Sequence, residues 1–202
     1  MYLSDKPNSL LIQTLLDSLH QDLCLFIDPP DGTKKHPATT CLALWLFQPN
    51  FTIGMYYIDP NQGSPADAIL VYCDFTAAPK TCLSPLHPQF GYPGPDVVQM
   101  RFIRLNSRLT SQNITYSCQP GNRQGPGERE VKFLADTRRQ SYLGTLRYYG
   151  SSEELDSGDR HESGFQFESE DLDLHPLRDL AVFGSSDLTQ EFGFTVGPVC
   201  FS

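Results

Sequence analysis

The sequence predicts an α+β fold: a short N-terminal helix of coiled-coil type, then a mainly antiparallel β domain stapled by disulfides. Three features predict it. Apolar residues recur at heptad spacing only near the N-terminus, over residues 8–27. Beyond residue 55 they fall in short alternating runs parted by Pro-, Gly- and Asn-rich stretches. Six cysteines are scattered along the 202 residues without metal-type clustering. The length suits one domain with a small appendage. The boundary falls at Pro29-Pro30, giving a helical stalk over 1–30 and a body over 31–202.

In the stalk, Ile12, Leu16, Leu19, Leu23 and Phe26 step by four and three, an a/d seam. Asp17, His20, Gln21 and Asp22 take polar positions. Asp28-Pro29-Pro30-Asp31-Gly32 ends the helix, because proline cannot continue it. Two heptads are marginal alone, so the stripe either packs on its own domain or pairs with other chains. In 42–47 both faces are apolar, which predicts a strand or short helix buried on two sides. Ala68 to Phe75 reads as a strand with Ile69, Val71, Cys73 and Phe75 on one face. Ala77 to Pro95 reads as loop. Val97 to Leu105 alternates as a strand would, with Val98, Met100 and Phe102 on one side. Asn113 to Cys118 is a short strand and Gln119 to Glu130 a polar loop. Two strands are expected between Val131 and Tyr149, then an acidic solvated loop over Ser151 to Ser163. Phe165 to Glu168, Leu177 to Phe183 and the tail FGFTVGPVCF close the sheet.

The stretch YYIDPNQGSPADAILVYCDF (Tyr56 to Phe75) sets an oxygen-rich turn directly before an apolar strand. Asp59, Asn61, Gln62 and Asp67 offer side-chain oxygens, and Pro60 and Gly63 bend the backbone between them. Calcium takes six to eight oxygen ligands of this kind. The turn is no EF-hand: counted from Asp59, Ser64 stands where that loop needs glycine and Leu70 where it needs Glu. An ordinary Asx/Pro/Gly turn feeding a strand is the other reading.

Composition excludes several function classes. A net charge of −9 and a pI near 4.9 argue against nucleic acid as a partner and disfavour anionic membranes. No apolar run approaches a membrane span of ~20 residues. The histidines sit in no H-E-x-x-H, no G-x-S-x-G elbow is present, and no glycine-rich phosphate loop stands between a strand and a helix. The chain reads as a non-enzyme. Two Asn-x-Thr sequons, at Asn50 and Asn113, together with the cysteines read as extracellular. MYLSDKPNS lacks the basic flank and apolar core of a signal peptide. The expectation is therefore the C-terminal part of a larger secreted product, or an incomplete gene.

IDPNQG followed by DAILVYC resembles the C-terminal propeptide domain of the fibrillar collagens, their C-terminal non-collagenous domain. DGTKKHPATTC (31–41), QMRFIRLNSRLTSQNITYSC (99–118) and EFGFTVGPVCF (191–201) resemble further blocks of that family, in family order. The resemblance implies a secreted extracellular-matrix assembly domain that associates with sister collagen-like chains as a homo- or heterotrimer. It implies a calcium ion held by Asp59, Asn61, Gln62 and Asp67 through side chains and by Ser64 through its carbonyl. It implies the disulfides Cys41–Cys73 and Cys82–Cys200, worth roughly 3–4 and 4–5 kcal/mol by loop entropy. Phe47 and Ser64 stand where the family has cysteines that bond between chains, so the trimer lacks that covalent link. Cys118 lacks its family partner, which leaves Cys24 and Cys118 unpaired, bonded to each other, or bonded between stalks. The chain holds no Gly-X-Y repeat. That keeps open a stand-alone secreted calcium-binding module, and a degenerate product without a role.

Overall fold

A computed structural model describes residues 6–86, 92, 94–118, 127–148, 162–183 and 192–202. The stalk is a helix, α1 (Lys6–Ile27). A second helix, α2 (Cys41–Phe47), starts where the Thr40 side chain accepts from the Ala43 N–H at 3.1 Å. Strands β1 (Gly54–Ile58) and β2 (Ile69–Asp74) flank the oxygen-rich turn, and β3 (Lys80–Leu83) follows. Helix α3 (Val97–Leu105) comes next. Then come β4 (Thr110–Cys118), β5 (Gly127–Ala135), β6 (Gln140–Tyr148), β7 (Glu162–Ser169), β8 (Leu177–Val182) and β9 (Phe192–Phe201). All strand pairs are antiparallel. They form a six-stranded sheet, β1-β2-β3-β9-β4-β7, and a three-stranded sheet, β6-β5-β8.

Period-two burial explains the strands. Ile69, Val71 and Cys73 point inward on β2, as do Ile114 and Tyr116 on β4 and Val131, Phe133 and Ala135 on β5. Two cores result. One joins Cys41 and Leu44 of α2, Ile58, β2, Met100 and Ile103 of α3, and Val199 and Phe201 of β9. The other holds Phe133, Leu146, Phe167 and Leu177 between the two sheets. There Gly144 permits close approach: a Cβ would meet the Phe165 ring at 2.6 Å.

Three expectations are corrected. Val97–Leu105 is a helix, not a strand. Asp96 caps it, accepting from the Gln99 N–H at 2.8 Å while Gln99 Oε1 accepts from the Asp96 N–H at 3.2 Å. This capping box outweighs the alternation, and the buried residues Gln99, Met100 and Ile103 follow helical spacing. Residues 41–47 form a helix buried on one side only, because Leu46 is 66% exposed while Leu44 is sealed. The loop read over 77–95 contains β3, whose Thr81, Cys82 and Leu83 are buried. The acidic loop lies outside the described residues up to position 161, and its last two positions begin β7; the polar loop lies outside them over 119–126, and its remainder, 127–130, is strand in β5 because it pairs with β6. For α1 the helix forms, yet its stripe is not covered by its own domain: Leu16 is 54% exposed and Phe26 76%. Phe26 nonetheless meets the Phe47 ring edge-on at 6.1 Å.

Arg104 fastens α3 to the second sheet. Its guanidinium pairs with Asp136 at 2.5 Å and donates to the carbonyls of Leu172 and His175. Both side chains are largely buried. Arg104→Met should cost about 3 kcal/mol by stranding Asp136 and two carbonyls. Urea unfolding checks this, and a loss below about 1 kcal/mol would assign the contact to solvent-compensated surface pairing.

His175 is fully buried, its ring tilted against those of Tyr142 and Phe167, with neither ring nitrogen hydrogen-bonded. Burial, and then the nearby Arg104 charge, depress its pKa to about 4 from 6.5. The unfolded chain therefore takes up this proton first as pH falls. The stability contributed by neutral His175 is full above pH ~6.5 and is lost progressively down to about 4. His175→Leu should flatten the stability profile across that window, measured by denaturation at several pH values. A profile unchanged by the substitution would discount the histidine.

Candidate metal centre

The turn between β1 and β2 begins at Asp59 and ends in a 3-10 turn, Pro65–Asp67. Its first corner is pinned from outside: the Asp59 N–H donates to the Ala38 carbonyl at 2.7 Å, next to a parallel bridge between Ala38 and Ile58. Gln62 takes a left-handed conformation, φ 53°, and its N–H returns to the Asp59 carbonyl at 3.2 Å. The Ser64 hydroxyl caps the 3-10 turn, accepting from the Ala66 N–H at 3.2 Å.

The five expected ligands all lie on this turn, where the Ser64 carbonyl accepts from the Asp67 N–H at 3.2 Å. Asp59 is only 6% exposed, yet its Oδ1 has no hydrogen-bond partner. Asn61 Oδ1 is likewise buried and unpartnered, while Asn61 Nδ2 donates to Asp67 Oδ2 at 3.2 Å. The Gln62 side chain is exposed, and its Nε2 donates to Thr39 Oγ1 at 2.7 Å, across to the segment before α2. Burial, and then the charge of Asp67, push the Asp59 carboxyl above its ordinary value, although the amides of Gln62, Gly63 and Ser64 pull the other way. Two orphaned buried oxygens beside a mutually repelling carboxylate pair suit a hard cation. Among the described residues no group of three or more His, Cys, Asp or Glu is brought together. The turn's donors are thus two carboxylates, an amide and backbone carbonyls, an oxygen set of the type that hard cations take and unlike the nitrogen and sulfur set of zinc. A cleft of about 320 Å³ opens beside it, bordered by Asp59 and Ser64.

Sequence reasoning missed Gln99. This buried residue donates from Nε2 to the Asp67 carbonyl while its Oε1 serves the α3 cap. It ties the far end of the turn to α3, and no local signal connects positions so distant in sequence. Thr39 was missed for the same reason.

The disulfides are Cys41–Cys73 and Cys82–Cys200, the pairs that the resemblance implies. The first ties α2 to β2, and the second joins facing residues of β3 and β9. Cys24 lies in α1 and Cys118 ends β4, but their side chains lie outside the described residues. Phe47 and Ser64 have local roles, as ring partner of Phe26 and as turn cap. Asn50, after α2, and Asn113, on β4, are both exposed.

The geometry defines a disulfide-stapled, mainly antiparallel β domain with an oxygen-rich turn. The chain belongs to the fibrillar collagen C-terminal domain family, which it matches over residues 8–93 and 89–201. It is 31% identical to the collagen alpha-2(I) chain of Oncorhynchus mykiss, aligned over 85% of this chain and 16% of that protein. The chain thus spans a small part of that relative's length. The family is structural and non-enzymatic.

Asp59→Asn should abolish any gain in melting temperature on adding calcium, and should leave the calcium-free protein as stable or slightly more so. Gln99→Ala removes no expected ligand, yet should weaken calcium binding about tenfold by freeing the Asp67 carbonyl that Gln99 holds. Melting curves and calorimetric titration check both. A wild-type chain that melts identically with calcium and with chelator would reject the site.

Proposed function

We propose that this chain is a collagen-assembly domain. It associates with sister collagen-like chains as a homo- or heterotrimer in the secretory pathway and extracellular matrix. Family membership supports the assembly role. The single observation that carries trimerisation is the apolar stripe of α1, whose Leu16, Leu19, Leu23 and Phe26 are each at least half exposed. Nine large apolar residues along α1 are exposed to that degree, and water is a costly surrounding for them. Knobs-into-holes packing with neighbouring chains removes them from water.

Calcium is the proposed cofactor. Asp59, Asn61 and Asp67 hold it by side-chain oxygens, with backbone carbonyls of Gln62 and Ser64 completing the shell. When bound, the ion neutralises the Asp59–Asp67 pair and satisfies the two orphaned oxygens, so it orders the loop between β1 and β2. The exposed Asn50 and Asn113 are the proposed glycan acceptors. With Phe47 and Ser64 engaged locally, association rests on packing and metal.

Sedimentation equilibrium of the secreted chain, with calcium and with chelator, tests the reading. We expect a trimer in calcium that persists on non-reducing dilution, and a shift toward monomer for Leu16→Asp with Leu19→Asp. A monomer under both conditions would overturn assembly in favour of a stand-alone calcium-binding module.

A further inference from the structure

A cleft of about 970 Å³ lies between α3 and the strands β5 and β8. Four arginines line it: Arg101, Arg104, Arg138 and Arg178. Only Arg104 is neutralised there, by Asp136. Among the described residues no carboxylate oxygen comes within 4.0 Å of a guanidinium nitrogen of the other three. The two remaining carboxylates of the cleft serve the backbone: Asp96 caps α3, and Asp179 accepts from the Leu180 N–H at 2.8 Å. Arg178 lies over the Tyr92 ring at 5.1 Å, which holds the guanidinium in place without cancelling its charge. Arg138 occupies a left-handed turn position, φ 63°, that glycine or asparagine adopts at less cost. Among the described residues this concavity of an acidic chain therefore holds three guanidiniums without an ion-pair partner against two carboxylates, Asp96 and Asp179, an excess of one positive charge.

The surface beside the cleft identifies the kind of ligand. Val97 and Leu105 flank Arg101 at four-residue spacing on α3, and they are 70% and 78% exposed. A sulfated polysaccharide offers nothing to cover these side chains. A polypeptide carrying both carboxylates and apolar side chains matches both features, since the guanidinium fork fits a carboxylate.

We propose that this cleft and the adjoining face of α3 dock an extended acidic polypeptide segment. Its carboxylates pair with Arg101, Arg138 and Arg178, and its apolar side chains cover Val97 and Leu105. The test uses the full chain and a fluorescein-labelled peptide of alternating Glu and Leu, followed by fluorescence anisotropy. We expect saturable binding that weakens about tenfold in R101Q/R138Q, the loss of one or two charge-assisted contacts. Val97→Ser with Leu105→Ser should weaken it as well, and Arg139→Gln, which lies outside the cleft, should not. Arg101 and Arg138 are exposed, so their replacement should leave the melting temperature unchanged. Equal binding of the Gln-for-Glu peptide, or binding indifferent to R101Q/R138Q, would overturn the proposal. A heparin fragment that displaces the peptide and ignores the Val97 and Leu105 changes would reassign the cleft to polysaccharide.

Discussion

The six-stranded sheet depends on its last strand. β9 is the chain's C-terminal segment, yet it lies in the middle of the sheet, between β3 and β4. Without it, β1-β2-β3 and β4-β7 are separate antiparallel pieces with exposed edges, each too small to be stable alone. β9 also spans both cores, contributing Val199 and Phe201 to one and Val196 to the other. Cys82–Cys200 locks this strand to β3 across 118 residues of sequence, and the terminal Ser202 exchanges backbone hydrogen bonds with Leu109. The fold thus closes only when the end of the chain has been placed.

Polar side chains then fix how the layers meet. Gln112, buried on β4, accepts from the Leu177 N–H at 2.9 Å and donates to the Tyr92 hydroxyl, joining β4 to the start of β8 and to the segment before α3. It sits opposite Val199 where the β4–β9 register shifts, next to Gly197, at which a Cβ would meet the Asn113 carbonyl at 2.7 Å. Arg104 joins α3 to the far sheet, and Gln99 joins α3 to the oxygen-rich turn. These three residues relate elements that the apolar cores alone leave free to slide. They also place α3 as the common neighbour of the oxygen-rich turn and the arginine cleft.

Much of the site is legible in the amino-acid sequence. Asp59, Asn61 and Asp67 lie close along the chain with Pro60 and Gly63 among them, so local chain geometry suffices to bring their oxygens together. The orientation of Gln62 is not legible there, because Thr39, its partner, belongs to a segment brought alongside only by the bridge of Ala38 to Ile58. The misreading of α3 has a local cause: its apolar residues satisfy a period of two nearly as well as one of 3.6. Asp96 and Gln99, spaced as a capping box, were the deciding signal.

What the sequence determined by itself was whatever depends on neighbours along the chain. That covers the stalk helix with its heptad stripe, the alternating strands β2, β4 and β5, the oxygen-rich turn, and the acidic character of the chain. Tertiary structure decided whatever depends on distant partners. That covers the insertion of β9 between β3 and β4, the single buried side of α2, the recruitment of β3 into the sheet, and the grip of Gln99 on Asp67. The physical reason is that burial and hydrogen-bond satisfaction are settled by the whole fold, whereas periodicity and turn chemistry act over a few residues.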